Sequence, residues 1–75
     1  MIGVVIDKIA TGERIAKAVY DRGMTISEFG RKIKMPLSGL YQITRGIVLP
    51  SATTLIKMSV VLGVSTDWIL GLVEE

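Results

Sequence analysis

The segment MPLSGLYQITRG, residues 35–46, holds the side chains with the most chemistry to offer. At helical spacing Leu37, Ser38, Tyr41, Gln42 and Arg45 share one side, while Leu40 and Ile43 point the other way. The outer set contains no metal ligand, no acid–base pair and a single charge. What it does contain suits the major groove of a duplex. Gln42 fixes a donor and an acceptor on one planar amide, the complement of adenine N6 and N7. Arg45 brings charge for a phosphate. Leu37 meets either a thymine methyl or only the helix edge. Ser38 can reach a base or a phosphate, and Tyr41 can stack, bond a phosphate or pack on the helix surface.

The rest of the chain narrows the chemistry. Seventy-five residues make one small domain without cysteine or histidine. This removes disulfides, the usual zinc, haem and iron–sulfur sites, and the commonest general base. No convergent carboxylate cluster takes their place, so no enzyme and no cofactor are expected. Net charge is only +2, but its distribution is uneven. Between Phe29 and Thr66 stand Arg31, Lys32, Lys34, Arg45 and Lys57 with no acid, and all seven acids lie outside that window. A surface of one sign points to a polyanion. Arg45, Lys32 and Lys34 are expected on phosphates; Arg31 is as well explained by a solvated charge. The opening MIGVVI lacks a basic n-region, and no run reaches the ~20 apolar residues of a spanning helix. A cytoplasmic protein with no membrane contact is expected.

The elements that position these residues are short helices. Thr11 as N-cap and Glu13 in the first turn start a helix that Gly23 stops near Asp21. Next, MTISEF carries a capping box, Thr25 with Glu28, inside a staple of Met24 and Phe29. That helix spans about Ile26–Ile33. After the turn Lys34–Pro36, a third helix runs to about Arg45 and stops at Gly46. Ser51 caps a fourth, with Leu55, Met58, Ser59 and Leu62 as its core stripe and Gly63 as its stop. Ser65 caps a fifth, with Asp67 in the first turn and Trp68, Ile69 and Leu72 as its apolar side. Residues 1–10 are left unassigned, since GVVI has strand propensity but no partner strand. The expectation is an all-α domain of five helices over residues 11–72. Its second and third helices flank a short turn, the helix-turn-helix arrangement.

The stretches GERIAKAVYDRGMTISEFGRKIKMPLSGLYQITRG and PSATTLIKMSVVLGVSTDWILG resemble the Cro and phage-repressor (Xre-type) helix-turn-helix domains, from about Thr11 to Leu72. The resemblance implies a lambda-repressor-like fold with the third helix as recognition helix. It implies base contacts at Leu37, Ser38, Gly39 and Gln42. Phosphate contacts are implied at Ser27, near Arg45 and at the start of the fourth helix. It also implies a homodimer on a near-palindromic double-stranded operator. Its dimer contacts fall in the region of Trp68, Ile69 and Leu72, where Trp68 is equally well read as core. Four positions depart from the family's habit: Lys34 for a turn glycine, Ser27 for glutamine, Thr44 for glutamate and Gly30 for alanine. Lys34 must then accept a positive φ, or the turn must differ.

One feature points elsewhere. Ile56 and Val60 form an i, i+4 aliphatic pair opposite the fourth helix's core stripe. They either mark a surface for a protein partner or pack beneath residues 1–10. The expected function is a sequence-specific DNA-binding transcriptional repressor. The alternative is the same scaffold acting as a protein-interaction module of antirepressor or antitoxin type.

Overall fold

Among the described residues, four of the five helices begin on a side chain that accepts an otherwise orphaned amide proton. The computed structural model describes residues 4–74, so Met1–Gly3 and Glu75 lie outside the described residues. The helices are α1 (Lys8–Asp21), α2 (Ile26–Lys32), α3 (Leu37–Thr44), α4 (Ala52–Leu62) and α5 (Thr66–Leu70). Among the described residues there is no strand, and Val4–Ile6 form none. No helix among them is long and apolar enough to cross a membrane.

The first helix starts earlier than the sequence suggested. Asp7 is its cap, accepting from the amides of Ile9 and Ala10 at 3.0 and 3.2 Å. Thr11, expected as the cap, lies one turn inside and is buried, its hydroxyl without a hydrogen-bond partner. Glu13 is accordingly past the first turn. The reason is tertiary. Thr11 and Gly12 continue the buried stripe of Ile15, Ala18 and Val19, so packing extends the helix back by a turn.

Elsewhere the local signals hold. Thr25 and Glu28 form both bonds of the capping box, each at 3.1 Å. The Thr25 backbone amide first, and its hydroxyl second, hold the Glu28 carboxyl below the ordinary carboxylate range. Met24 packs partly buried against the core that includes Phe29. Ser51 and Ser65 cap α4 and α5, and Gly63 closes α4 in the left-handed region. Ser59, in the expected α4 stripe, is half-buried and donates its hydroxyl to the Val64 carbonyl.

Every helix contributes to one core: Ile15, Ala18 and Val19 from α1, Phe29 from α2 with Ile33 at its end, Leu40 and Ile43 from α3, Met58 and Leu62 from α4, and Ile69 from α5. Two arginines close helix ends from the side. Arg22 donates to the Leu62 and Ala18 carbonyls, tying the ends of α1 and α4. Arg14 donates to the Ile69 carbonyl at 3.4 Å. Both therefore serve the fold, using charge-assisted bonds to carbonyls that a helix end leaves open.

Candidate nucleic-acid interface

The recognition helix is seated before it is decorated. Leu40 and Ile43, 0% and 2% exposed, fix its inner face. Its C-terminal end presses on α1 at two glycines. A Cβ on Gly12 would stand 2.5 Å from the Ile43 carbonyl oxygen, so only glycine lets the two backbones approach. Gly46, at φ +77°, ends α3 and lies against Ile9, whose Cα a Cβ there would meet at 2.7 Å. These contacts set the direction in which the outer face looks.

The turn before α3 is tight. The Lys34 amide donates to the Arg31 carbonyl and the Met35 amide to the Gly30 carbonyl. Lys34 itself sits at φ +56°, the one non-glycine in the left-handed region among the described residues. Lysine there carries a steric cost of roughly 1–2 kcal/mol that glycine would not. Pro36 occupies the N-cap position with no side-chain bond of its own.

On the outer face Leu37, Ser38, Tyr41, Gln42 and Arg45 are all exposed together. Arg45 lies over the Tyr41 ring, its guanidinium carbon 5.3 Å from the centroid. Gly39 does not belong with this set. It is half-buried, and a Cβ at that position would stand 3.2 Å from the Met35 methyl, which would have to give slightly. Met35 packs against it at the start of the helix. Ser27, in the first turn of α2, and Lys32 and Lys34, at and after its end, are exposed.

The expected dimer residues separate. Ile69 is fully buried in the core and has no side-chain surface for a partner, which corrects that expectation. It sits where α5 packs against α1 and α4, and a helix of five residues has few other anchors. Trp68 is half-buried against the same core, and Leu72 is exposed beyond Gly71. Ile56 and Val60 are exposed, so no described residue covers them. The aliphatic run Ile47, Val48 and Leu49, in the loop after α3, is also exposed. Its signal was present in the sequence as three aliphatic residues outside any helical period.

No curated protein matches the chain in sequence. Among solved structures it is similar to SinR, the master regulator for biofilm formation, in complex with DNA. The identity is 34%, with 80% of this chain and 97% of that chain covered and a TM-score of 0.75. The N-terminal DNA binding domain of SinR from Bacillus subtilis is 33% identical, covers 87% and 93%, and gives a TM-score of 0.76. The P22 c2 repressor in complex with a synthetic operator shares the fold at 23% identity, over 80% and 91% of the chains, with a TM-score of 0.76. The Helix-turn-helix family model matches residues 15–69. With five helices, a seated third helix and this match over most of its length, the chain belongs to the Cro/phage-repressor (Xre-type) helix-turn-helix family.

Proposed function

We propose that the protein is a sequence-specific DNA-binding transcriptional regulator, a repressor of phage or bacterial type, acting in the cytoplasm as a homodimer on a near-palindromic operator. The observation that carries this reading is the outer face of α3. It groups Ser38, Gln42 and Arg45 with Leu37 and Tyr41 on a helix whose opposite face is locked into the core. A helix held this way fits a major groove about 12 Å wide. Gln42 reads adenine, Ser38 and Leu37 contact neighbouring base edges, and Ser27, Lys32, Lys34 and Arg45 take phosphates. Base contacts supply sequence preference and phosphate contacts supply affinity. The SinR domains, a third identical and one of them solved on DNA, support the same reading.

Dimerisation rests on Trp68 and Leu72, since a monomer reads one half-site only. Selection of bound duplexes from a random pool tests the proposal. The expected outcome is a recovered motif with two-fold symmetry. Recovery of no motif, with weak binding to every duplex at low salt, would count against it. The second reading, a protein-binding scaffold, has one specific observation in its favour: the exposed Ile56 and Val60 on a helix that does not carry the groove-facing set.

A further inference from the structure

Ile56 and Val60 stand one turn apart on α4, 58% and 76% exposed. The end of α2 and the turn after it bring Lys32, Ile33 and Lys34 alongside. With Lys57 and Val61 they line a groove of about 420 Å³ whose walls carry aliphatic side chains and lysines but no carboxylate. Among the described residues the sole ion pair is Lys17 with Asp21, so none of the three groove lysines is matched within the molecule. With Lys32 and Lys34 on phosphates, Lys57 remains beside Ile56 and Val60, which phosphates would leave in water. An occupant that suits this side of the groove must offer aliphatic groups and a carboxylate side by side.

The chain carries that combination at another place. Beyond α5 the backbone turns at Gly71 and presents Leu72 and Val73, 47% and 45% exposed, followed by the exposed Glu74. The segment is held in position. The Leu72 amide donates to the Asp67 carbonyl at 2.8 Å, and the Arg14 guanidinium packs against Gly71. None of Leu72, Val73 and Glu74 lines the groove of its own molecule. Glu74 thus sets a carboxylate beside two exposed aliphatic side chains, the complement of Lys57 beside Ile56 and Val60.

We infer that the α2–α4 groove of one copy receives the Leu72–Glu74 segment of a second copy, with aliphatic groups on Ile56 and Val60 and Glu74 against Lys57. This rests on the homodimer reading and specifies its contact. In a two-fold dimer the contact occurs twice, because each copy gives a segment and receives one.

The test uses the full chain and sedimentation equilibrium, with circular dichroism to verify the fold. Lys57 and Glu74 are both exposed and neither is placed on DNA, so charge reversal leaves core and groove-reading face intact. Lys57→Glu and Glu74→Lys should each raise the dimer dissociation constant by roughly tenfold, since two attractive pairs become repulsive. An equimolar mixture of the two variants should recover wild-type association, because both contacts in the mixed dimer again pair opposite charges. The double variant Lys57→Glu/Glu74→Lys should recover it as well. A wild-type dimer indifferent to both single changes, or a mixture no tighter than its components, overturns the groove contact while the homodimer stands. A wild-type chain that stays monomeric at every concentration overturns both.

Discussion

Helices α3 and α4 are built on the same plan and offer opposite things. Each buries two residues in the core, Leu40 and Ile43 from α3 and Met58 and Leu62 from α4. Each turns its other side to solvent. From α3 that side is amide, hydroxyl, phenol and guanidinium around one aliphatic edge. From α4 it is Ile56 and Val60 beside Lys57. A duplex groove rewards the first kind of surface, because base edges and phosphates are donors, acceptors and charge. It has little use for the second, which gains by losing water against other aliphatic groups. The comparison shows why one amphipathic scaffold can serve two partners. The inner stripe decides the fold, and each outer stripe is free to take its own chemistry.

The largest effect is expected where the seat of α3 is removed. Gly12→Val would drive a branched side chain into backbone carbonyls that cannot move aside as a flexible side chain can. We expect a loss of about 3 kcal/mol, at the upper end for overpacking. This would appear as a fall in Tm of more than about 10 °C for a domain this small. On the outer side of α4, Val60→Ser should stay within about 0.5 kcal/mol of wild type. Equal Tm values for the two variants would mean that α3 is not held by its approach to α1.

The next effect separates reading from holding. Gln42→Ala should leave Tm unchanged and remove about 1–3 kcal/mol of discrimination at one base pair per half-site. Binding to a panel of operator variants measures it. An unchanged preference profile would shift weight from α3 to the aliphatic face of α4.

A smaller effect has opposite signs in two assays. Lys34 occupies a left-handed turn position, where lysine is disfavoured. Lys34→Gly should therefore raise stability by about 1 kcal/mol. The same change removes a charge from the proposed phosphate set. Affinity should fall alike for all duplexes, and the slope of log affinity against log salt should flatten by about one unit. A variant both more stable and undiminished in its salt slope would show that Lys34 is strained without serving DNA.

What the sequence disclosed depended on how local each cause is. The second helix was legible residue by residue because its signals, Thr25 with Glu28 and the flanking Met24 and Phe29, act within one turn. The inner face of α3 was legible for the same reason. The start of α1 was not. Asp7 and Thr11 are both good caps, and the choice between them is made by Gly12 meeting the end of α3, a contact between distant parts of the chain. Ile69 was misplaced at an interface because the resemblance points to a region of the chain, and which apolar side chain of a short helix the core covers is decided by tertiary packing. Arg14 and Arg22 close helix ends across the fold, a role that no local signal in the sequence marks. On the candidate site, the exposed set of α3 was readable except for Gly39, whose burial depends on where Met35 packs.

The smallest effect concerns how Arg45 is presented. Its guanidinium lies 5.3 Å from the Tyr41 ring centroid, within the range of a cation–π contact, which at an exposed site contributes about 0.5–1 kcal/mol. The Tyr41 carbonyl is already engaged, accepting from the Arg45 amide and from the Thr44 hydroxyl, so the two residues are held by backbone as well as by the ring. A long arginine side chain loses rotamer freedom when it binds a phosphate, and a ring that restricts it beforehand lowers that loss. Tyr41 then acts through its ring, not its hydroxyl. Tyr41→Phe should bind duplex within about twofold of wild type, and Tyr41→Leu should weaken binding to every sequence about three- to fivefold, the same 0.5–1 kcal/mol. In an Arg45→Ala background the Tyr41→Leu change should cost almost nothing, because the partner it holds is gone. If Tyr41→Phe loses as much as Tyr41→Leu, the hydroxyl itself bonds the phosphate. In that case Tyr41 joins Arg45 as a proposed phosphate contact on the outer face of α3, the surface whose chemistry differs from the aliphatic side of α4.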